Sequence, residues 1–299
     1  MDIRLFATDL DGTLLGSDGA VSRRNFTTMR RACTDGCFVV PTTGRSFFEM
    51  PRALRTSRGC YTHCICSDGA AIYDYKGDIL WKSVFPSDAV RHILEVLRSY
   101  DVLLELYVDG VPYARADLLN KSAYRHYRIE PEYDAVMDET RHGVVDPAAF
   151  AEQHIDNVEL MNVFFADEGE RTEAFARLAH GGIAELTTSM QSNLEILQPG
   201  INKGSALTKL CKMLGVRREQ TLAVGDSRND LSMFRAVGVG LAVSGACNAL
   251  KEKATAVICS NDAHTFAYAY SHYKPQNRTD LKTEGTTWTK QRRLARSIF

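Results

Sequence analysis

Short apolar runs alternate with helix-like stretches over the first part of the chain. The runs have the length of strands that are buried on both faces of a parallel sheet, and each ends in polar residues. Asp35-Gly36 is a typical stop signal for the first helix. The pattern predicts strands at Ile3–Thr8, Cys37–Pro41 and Cys64–Cys66, with one helix at Ser22–Thr34 and another that ends near Arg55.

The same alternation returns near the other end of the chain. Together the two stretches have the strand–helix–strand order of an α/β domain, in which crossovers place parallel strands in one sheet. The pattern predicts strands at Asn193–Leu197, Thr221–Val224, Gly240–Val243 and Ala254–Cys259, and helices at Gly204–Leu214 and Asn229–Ala236.

The middle of the chain has a different pattern. Asp109-Gly110 lies between two apolar runs, which is typical of a β-hairpin turn. Strands and helices are mixed here without the regular alternation of the ends. The predicted elements are strands at Leu103–Tyr107, Val111–Ala114 and Val158–Phe165, and helices at Asp88–Tyr100 and Glu168–Ala179.

This change of pattern divides the chain. We predict a parallel-sheet core at residues 1–83 and 190–273, split by an inserted α+β cap domain at residues 84–189. From Ser271 to Phe299 there are seven Lys or Arg and two Asp or Glu. We predict a solvated basic tail at residues 274–299, with contact to nucleic acid or lipid as the less common meaning of such a segment.

Composition narrows the class of protein. The 299 residues are 44% hydrophobic and 24% charged, as in an ordinary globular protein. No apolar run approaches the roughly 18 residues of a membrane span, and no secretory signal is visible, so we expect a cytoplasmic protein. The eight cysteines are predicted to be reduced, buried thiols rather than disulfides or zinc ligands. A net charge of −1 favours neither nucleic acid nor membrane as a partner.

The first predicted strand leads into two aspartates, Asp9 and Asp11, followed by Gly12. Ligands of open α/β sheets bind beyond the carboxyl ends of strands, and Gly12 allows a turn that brings both carboxylates to one centre. Adjacent carboxylates repel each other and therefore favour a bound cation or a shared proton. Taken alone, the pattern is equally typical of a hydrogen-bonded Asp-Gly turn.

A second acidic segment follows the strand at Thr221–Val224. Asp226 is placed to join Asp9 on a hard cation such as Mg²⁺, which prefers carboxylate oxygens. Asn229 and Asp230 suit the support of that site, although capping of the next helix is the simpler explanation for Asp226 and Asp230.

A donor and a cation complete the set. Thr43, after the second strand, offers a hydroxyl and a backbone N–H, and Lys203, before a helix, offers a cation for phosphate oxygens. A single lysine is usually a solvated side chain. The joint occurrence of four such elements in this order predicts one phosphate-binding site.

The four elements resemble the motifs of the haloacid dehalogenase-like superfamily. The layout is similar to its Cof-like, type IIB phosphatases, because 32 positions separate Asp11 from Thr43, too few for a cap, whereas 158 separate Arg45 from Lys203. The resemblance implies a Rossmannoid core with the cap inserted in the longer interval, and it extends to about Tyr273. The motifs are Asp9-x-Asp11-Gly-Thr, Thr43-Gly44-Arg45, Lys203-Gly204 and Gly225-Asp226-x-x-Asn229-Asp230.

The resemblance implies a role for each motif residue. Asp9 is expected to be the nucleophile that forms an aspartyl-phosphate, and Asp11 the acid/base of both half-reactions. Mg²⁺ is expected to bind Asp9, the backbone carbonyl of Asp11 and Asp226, with Asp230 behind them. Contacts to phosphate and substrate are expected from Thr43, Gly44, Arg45, Lys203 and Asn229.

Two segments depart from the family pattern. Members commonly carry Asn-Gly-Ala after the third strand, whereas this chain has Asp68-Gly69-Ala70. A carboxylate in place of an amide argues against direct contact between that residue and an anionic substrate. A glycine-containing segment usual near the end is replaced by Asn261–His264.

These features predict a Mg²⁺-dependent phosphatase that hydrolyses a small phosphorylated metabolite, with sugar phosphates the class that the resemblance implies. A phosphohexomutase of the phosphomannomutase type shares the cap placement and stays an alternative. A catalytically silent binding protein is a further alternative, against which the intact set of Asp9, Asp11, Lys203 and Asp226 argues. We expect a monomer or homodimer without nucleic acid or membrane partners.

Overall fold

The structure, a computed structural model, describes residues 2–275. Residues 276–299 lie outside the described range, so the basic tail stays a prediction. The core domain begins with seven elements, β1 (Leu5–Thr8), α1 (Arg23–Thr34), β2 (Phe38–Pro41), α2 (Arg52–Arg55), β3 (His63–Cys66), β4 (Ala71–Asp74) and β5 (Ile79–Lys82).

The cap domain follows, built on one six-stranded sheet. All neighbouring strands of this sheet are antiparallel except one parallel pair at its edge. Its elements are α3 (Ser87–Leu97), β6 (Val102–Val108), β7 (Val111–Arg115), α4 (Lys121–His126), α5 (Asp134–Thr140), β8 (His142–Val144), α6 (Pro147–Gln153), β9 (Val158–Phe165), α7 (Glu168–Ala179), β10 (Glu185–Thr187) and β11 (Asn193–Leu197). The strand order is β10-β11-β9-β6-β7-β8.

The chain then returns to the core. The two segments that connect the cap to the core meet where the Ser83 hydroxyl donates a hydrogen bond to the Gln198 side chain. The remaining elements are α8 (Lys203–Leu214), β12 (Thr221–Gly225), α9 (Leu231–Ala236), β13 (Val239–Ala242), α10 (Asn248–Lys251), β14 (Ala256–Val257) and α11 (Thr265–Tyr273).

The core sheet is parallel, with the order β14-β13-β12-β1-β2. β1 lies inside it and pairs with β2 on one side and with β12 on the other, so both halves of the split core meet at this strand. All four residues of β1 are buried, as the continuous apolar run predicts for a parallel strand covered on both faces. The predicted α/β fold is confirmed.

Three predicted elements differ from the structure in their sheet, their continuation or their length. The strand Asn193–Leu197, predicted in the core, is β11 and pairs with β9 in the cap sheet, so the cap extends past residue 189. The strand predicted at Cys64–Cys66 is present as β3 and lies beside β2, where the backbone N–H of Thr62 donates to the carbonyl of Val39 at 2.9 Å. It continues into the antiparallel strands β4 and β5, which the sequence did not predict. The helix ending near Arg55 is only one turn, because Pro51 cannot donate the backbone hydrogen bond of a helix interior.

Helices α1 and α11 pack against each other beside the core sheet. The ring of Phe6 on β1 contacts the rings of Phe266 and Tyr270 on α11. Buried Asn25 on α1 accepts a hydrogen bond of 3.1 Å from the backbone N–H of Ala267. Within residues 2–275 no helix is both long and apolar enough to cross a membrane.

Replacing Asn25 by alanine tests this helix pair. The Asn25→Ala variant leaves the buried N–H of Ala267 without its acceptor, which costs about 1–3 kcal/mol of the free energy of unfolding. Urea denaturation measures the loss. Thr27→Ala, on the exposed side of the same helix, should change the value by about 0.5 kcal/mol or less. Equal stabilities of the two variants would contradict the assigned contact.

Candidate active site

The site forms where three core strands end side by side. Asp9 follows β1, and its backbone N–H donates to the carbonyl of Val224 at 3.0 Å. The backbone N–H of Thr43, after β2, donates to the carbonyl of Ile65 at 2.9 Å. Asp226 follows β12. Because parallel strands end at one edge of the sheet, residues far apart in the sequence meet here.

Lys203 is the centre of charge at this edge. Its side chain is 1% exposed, and its ammonium lies 2.8 Å from Asp9 Oδ1, 2.9 Å from Asp230 Oδ1 and 3.9 Å from Asp68 Oδ1. Burial alone lowers the pKa of a lysine, but the three carboxylates, Asp230 first, raise the pKa of Lys203 well above its usual value. The ammonium therefore stays charged.

The start of α8 fixes the position of this lysine. The Asn202 side chain accepts from the backbone N–H of Ser205 at 2.9 Å, and the Ser205 hydroxyl closes a reciprocal capping box. Gly204 packs directly against α9, because a Cβ there would lie 2.1 Å from the backbone oxygen of Ser232. A larger residue would push the helix, and Lys203 with it, out of place.

Asp9, Asp226 and Asp230 each bring a carboxylate oxygen to within 4.8 Å of the others. Asp230 is already engaged, because its Oδ1 accepts from Lys203 and its Oδ2 from the backbone N–H of Asp226 at 2.9 Å. Burial and then the charge of Asp230 raise the pKa of Asp226 to about 6. Burial likewise raises the pKa of Asp9, against the opposing charge of Lys203.

This donor set fits the predicted Mg²⁺ ion. Asp9 and Asp226 are hard oxygen donors whose mutual repulsion a divalent cation would relieve. Gly12 keeps the space beside them open, since it adopts a φ of +68° and a Cβ there would lie 2.6 Å from Asp226 Oδ2. The Thr13 hydroxyl donates to Asp226 Oδ1 at 2.9 Å and orients that carboxylate.

Asp11 lies at the mouth of the site, paired with Arg45. The guanidinium donates from Nε to Asp11 Oδ2 at 2.9 Å and from Nη2 to Asp11 Oδ1 at 2.6 Å. Arg45 also donates from Nη1 to the backbone oxygen of Glu49 at 3.0 Å. Arg45, predicted to contact substrate, is thus directed at the side chain of Asp11 in this structure.

The other predicted phosphate contacts surround Asp68. Asn229 Nδ2 donates to Asp68 Oδ1 at 3.1 Å, and a Cβ on Gly44 would lie 3.0 Å from Asp68 Oδ2. The Thr43 hydroxyl accepts from the backbone N–H of Arg45 at 3.1 Å, which leaves its proton free to be donated. Asn229 is therefore held by Asp68.

A cavity of about 610 Å³ lies between the core and the cap. Of the predicted site residues, only Asp230 is not in its wall, because Asp230 lies behind Lys203. The structure brings all of them together, and their individual roles stay predictions. The predicted residues in the wall are Asp9, Asp11, Thr43, Gly44, Arg45, Lys203, Asp226 and Asn229.

Sequence reasoning missed the polar wall that the cap supplies. Buried Arg141 donates to Glu105 Oε1 at 2.6 Å and also binds Glu49 of the core. Asn162 donates to Glu105 Oε2 at 2.9 Å. A signal was available, since Glu105, Asn162 and Glu195 each interrupt an otherwise apolar strand, and buried charges are rarely left unpaired.

Comparison with known proteins identifies the family. A profile of haloacid dehalogenase-like hydrolases matches residues 6–269. The chain belongs to this family. It is 32% identical over 286 residues to phosphatase YwpJ of Bacillus subtilis (strain 168), covering 90% of this chain and 99% of that protein.

Two further matches support the same class. 5-Amino-6-(5-phospho-D-ribitylamino)uracil phosphatase YwtE of Bacillus subtilis (strain 168) is 30% identical over 279 residues, covering 89% of this chain and 96% of that protein. A solved haloacid dehalogenase-like hydrolase from B. subtilis superposes with a TM-score of 0.80 at 28% identity, covering 90% of this chain and 99% of that one. The predicted phosphatase class is confirmed.

The carboxylate cluster predicts how the protein responds to Mg²⁺. At pH 7.5, above the Asp226 pKa of about 6, the ionised carboxylates destabilise the metal-free fold. Mg²⁺ at a hundredfold excess over its dissociation constant should add about 2.7 kcal/mol. Asp226→Asn should raise the melting temperature in EDTA and remove most of the Mg²⁺ effect.

Thermal melts with EDTA and with Mg²⁺ measure both effects without relying on catalysis. Asp78→Asn, an exposed carboxylate in the turn before β5, is the control and should behave as the wild type. An equal Mg²⁺ shift in the wild type and Asp226→Asn would place the metal elsewhere.

Proposed function

We propose that this protein is a Mg²⁺-dependent phosphatase of small phosphorylated metabolites, with sugar phosphates and related polyol phosphates as its substrates, acting through an aspartyl-phosphate on Asp9. The contact between Asp9 and Lys203 carries the proposal. A buried carboxylate at a strand end, held by an ammonium beside a second carboxylate, Asp226, suits nucleophilic attack on a phosphoryl group.

The nucleophile is held by one oxygen. Lys203 binds Asp9 Oδ1, which leaves Oδ2 to attack phosphorus while the ester oxygen departs on the opposite side. Bound between Asp9 and Asp226, Mg²⁺ would neutralise charge on the phosphoryl oxygens. Burial raises the pKa of Asp9 in the metal-free site, which disfavours the ionised form that attack requires. Nearby cations oppose this effect and favour the ionised carboxylate.

Asp11 is the proton carrier of the proposed reaction. It would give a proton to the leaving oxygen and then take one from the water that attacks the aspartyl-phosphate, so the carboxyl returns to its starting form. Its side chain is 56% exposed at the cavity mouth, where it pairs with Arg45 and lies outside the buried cluster. Its two oxygens face Arg45, which therefore orients Asp11.

The charge of the cavity wall supports an uncharged or cationic leaving group. Among the described residues of that wall, the basic side chains are Arg45 and Lys203, and both are engaged by carboxylates. The cap side instead offers hydroxyl, amide and carboxyl groups. YwtE, by its name, acts on a substrate whose phosphate is on a ribityl chain, and such a polyol suits this wall.

Substitution of the two motif aspartates tests the mechanism. Asp9→Asn should abolish turnover and phosphorylation of the protein, because an amide oxygen is a poor nucleophile. Asp11→Asn should lose about 10²–10⁴-fold in turnover. With an activated aryl phosphate, which hardly needs an acid, phosphoprotein should accumulate on Asp9.

Intact-protein mass after rapid acid quench, followed by peptide mapping, locates the phosphoryl group. Asp78→Asn is again the matched control. Wild-type turnover by Asp9→Asn, or a phosphoryl group on another residue of Asp11→Asn, would show that the nucleophile is wrongly assigned.

Pairs of substrates that differ in one anionic group test the proposed substrate class. Fructose 6-phosphate should be preferred over fructose 1,6-bisphosphate, and glucose 6-phosphate over 6-phosphogluconate, by about tenfold or more in kcat/KM. The reason is that the second anionic group would lie beside carboxylates of the wall, with no unpaired cation among the described wall residues to bind it. Release of inorganic phosphate from one sugar phosphate alone also separates a phosphatase from a mutase. A preference in both pairs for the compound with the second anionic group would contradict the proposal.

A further inference from the structure

A row of polar side chains crosses the inner face of the cap sheet. Glu105 on β6, Asn162 on β9 and Glu195 on β11 lie opposite one another in register, and all are buried. Asn162 donates to Glu105, and Asn193 Nδ2 donates to Asn162 Oδ1 at 3.0 Å and to Glu195 Oε1 at 3.2 Å. At the Glu105 end, Arg141 joins the row to the core.

At its other end the row reaches the core through two carboxyl groups. The carboxyl groups of Glu195 in the cap, 5% exposed, and of Asp68 in the core, 1% exposed, are close enough for each to act on the other. Asp68 Oδ2 and Glu195 Oε2 are both buried and accept from no N–H or O–H group within the described part of the chain. Each of the two neighbouring carboxyl groups therefore keeps one buried oxygen that is available to the other.

Two buried carboxyl groups in contact cannot both be ionised, so the pair must hold a proton. Asp68 Oδ1 accepts from Asn229 and lies 3.9 Å from the ammonium of Lys203, so a positive charge stands on the Asp68 side of the pair. Among the described residues, the donors to Glu195 Oε1 are neutral, the Ser189 hydroxyl at 2.6 Å and the Asn193 amide. The proton therefore belongs on Glu195 Oε2, where it is donated to Asp68 Oδ2.

The surroundings agree with this placement. Burial first, and then the negative charge of Asp68, raise the pKa of Glu195 well above its usual value. The positive charge that opposes this shift is that of Lys203 on α8, which also contacts Asp9 and Asp230. Across a side cavity of about 170 Å³ the other charged groups beside Asp68 are Glu185, Arg228 and Arg235.

We propose that Asp68 and Glu195 share one proton and act as a latch that holds the cap against the core, positioning the cap wall over the substrate. When the cap opens, both carboxyl groups meet water and the proton is released. When it closes, one proton is taken up from solvent and the O–H···O⁻ hydrogen bond between Glu195 and Asp68 forms. The pair positions the cap and takes no part in phosphoryl transfer.

The sign of the pH dependence follows from this exchange. The closed form binds one more proton than the open form, so closure is favoured at low pH and weakens as pH rises. The window begins near the ordinary glutamic acid pKa of about 4.3 and extends upward to the raised pKa of Glu195. Closure should weaken about tenfold for each unit by which the closed form raises the pKa of Glu195.

Infrared spectroscopy tests the shared proton without relying on catalysis. The full-length wild type should show a protonated-carboxyl C=O band that persists above the pH at which an ordinary glutamic acid ionises. Glu195→Gln and Asp68→Asn should each show less intensity in this band than the wild type, because an amide replaces one acid of the pair. The contribution of Glu159, whose pKa burial raises to about 7, should remain in all three proteins. A wild-type spectrum identical to both variants in this region would overturn the proposal.

Kinetics test the latch, and this arm rests on the proposed function. For each protein, kcat/KM for a sugar phosphate is divided by kcat/KM for para-nitrophenyl phosphate, whose small leaving group should make few contacts with the cap. In this ratio the pH dependence that comes from the catalytic residues cancels. The wild-type ratio should fall as pH rises through the window, by about tenfold for each unit by which the pKa of Glu195 is raised. In Glu195→Gln and Asp68→Asn an amide N–H replaces the shared proton, so the ratio should not depend on pH.

Glu195→Ala removes the contact and should give a low ratio at every pH, through a raised KM for the sugar phosphate. A wild-type ratio that does not change with pH, or variants that titrate as the wild type does, would refute the latch. If neither substrate is hydrolysed at all, the proposed function fails, while the infrared band still decides whether the proton is shared.

Discussion

The structure depends on one buried ammonium group. Lys203, 1% exposed, is surrounded by the carboxylates of Asp9, Asp230 and Asp68, each from a different part of the core. Removing one partner of such a buried set costs about 3–5 kcal/mol, because the remaining charges lose their compensation. The same contact joins the strand before Asp9 to the helix that starts at Lys203, so it links the two halves of the split core as well as the residues of the site.

The cap meets the core through polar contacts on both sides of the cavity. Arg141 binds Glu49 at one side, and Glu195 contacts Asp68 at the other. Apolar contacts tolerate sliding, whereas a buried ion pair or hydrogen bond is satisfied only in one position. Such contacts add little net stability. Their effect here is to fix the position of the cap wall relative to Asp9.

The sequence predicted what local patterns determine. Strands at the ends of the chain follow from apolar runs, and the meeting of Asp9 with Asp226 follows from parallel strands ending at one edge. The sheet to which Asn193–Leu197 belongs could not be predicted, because five apolar-rich residues fit a core strand and a cap strand equally well. The partners of Glu105 and Glu195 could not be predicted either. Arg141 and Asp68 are distant from them in sequence, and only the folded structure brings each pair together.

An excess of carboxylates over cations around the cavity creates the same electrostatic problem twice. Asp9 and Asp226 border the open cavity, where a hydrated divalent cation can enter and leave, so the proposed Mg²⁺ relieves their repulsion. Asp68 and Glu195 face each other where both are almost fully buried, and there a proton is the smallest positive charge that can serve. The metal ion between Asp9 and Asp226 would make the chemistry depend on Mg²⁺. The proton between Asp68 and Glu195 would make the position of the cap depend on pH, so the two effects can be measured separately.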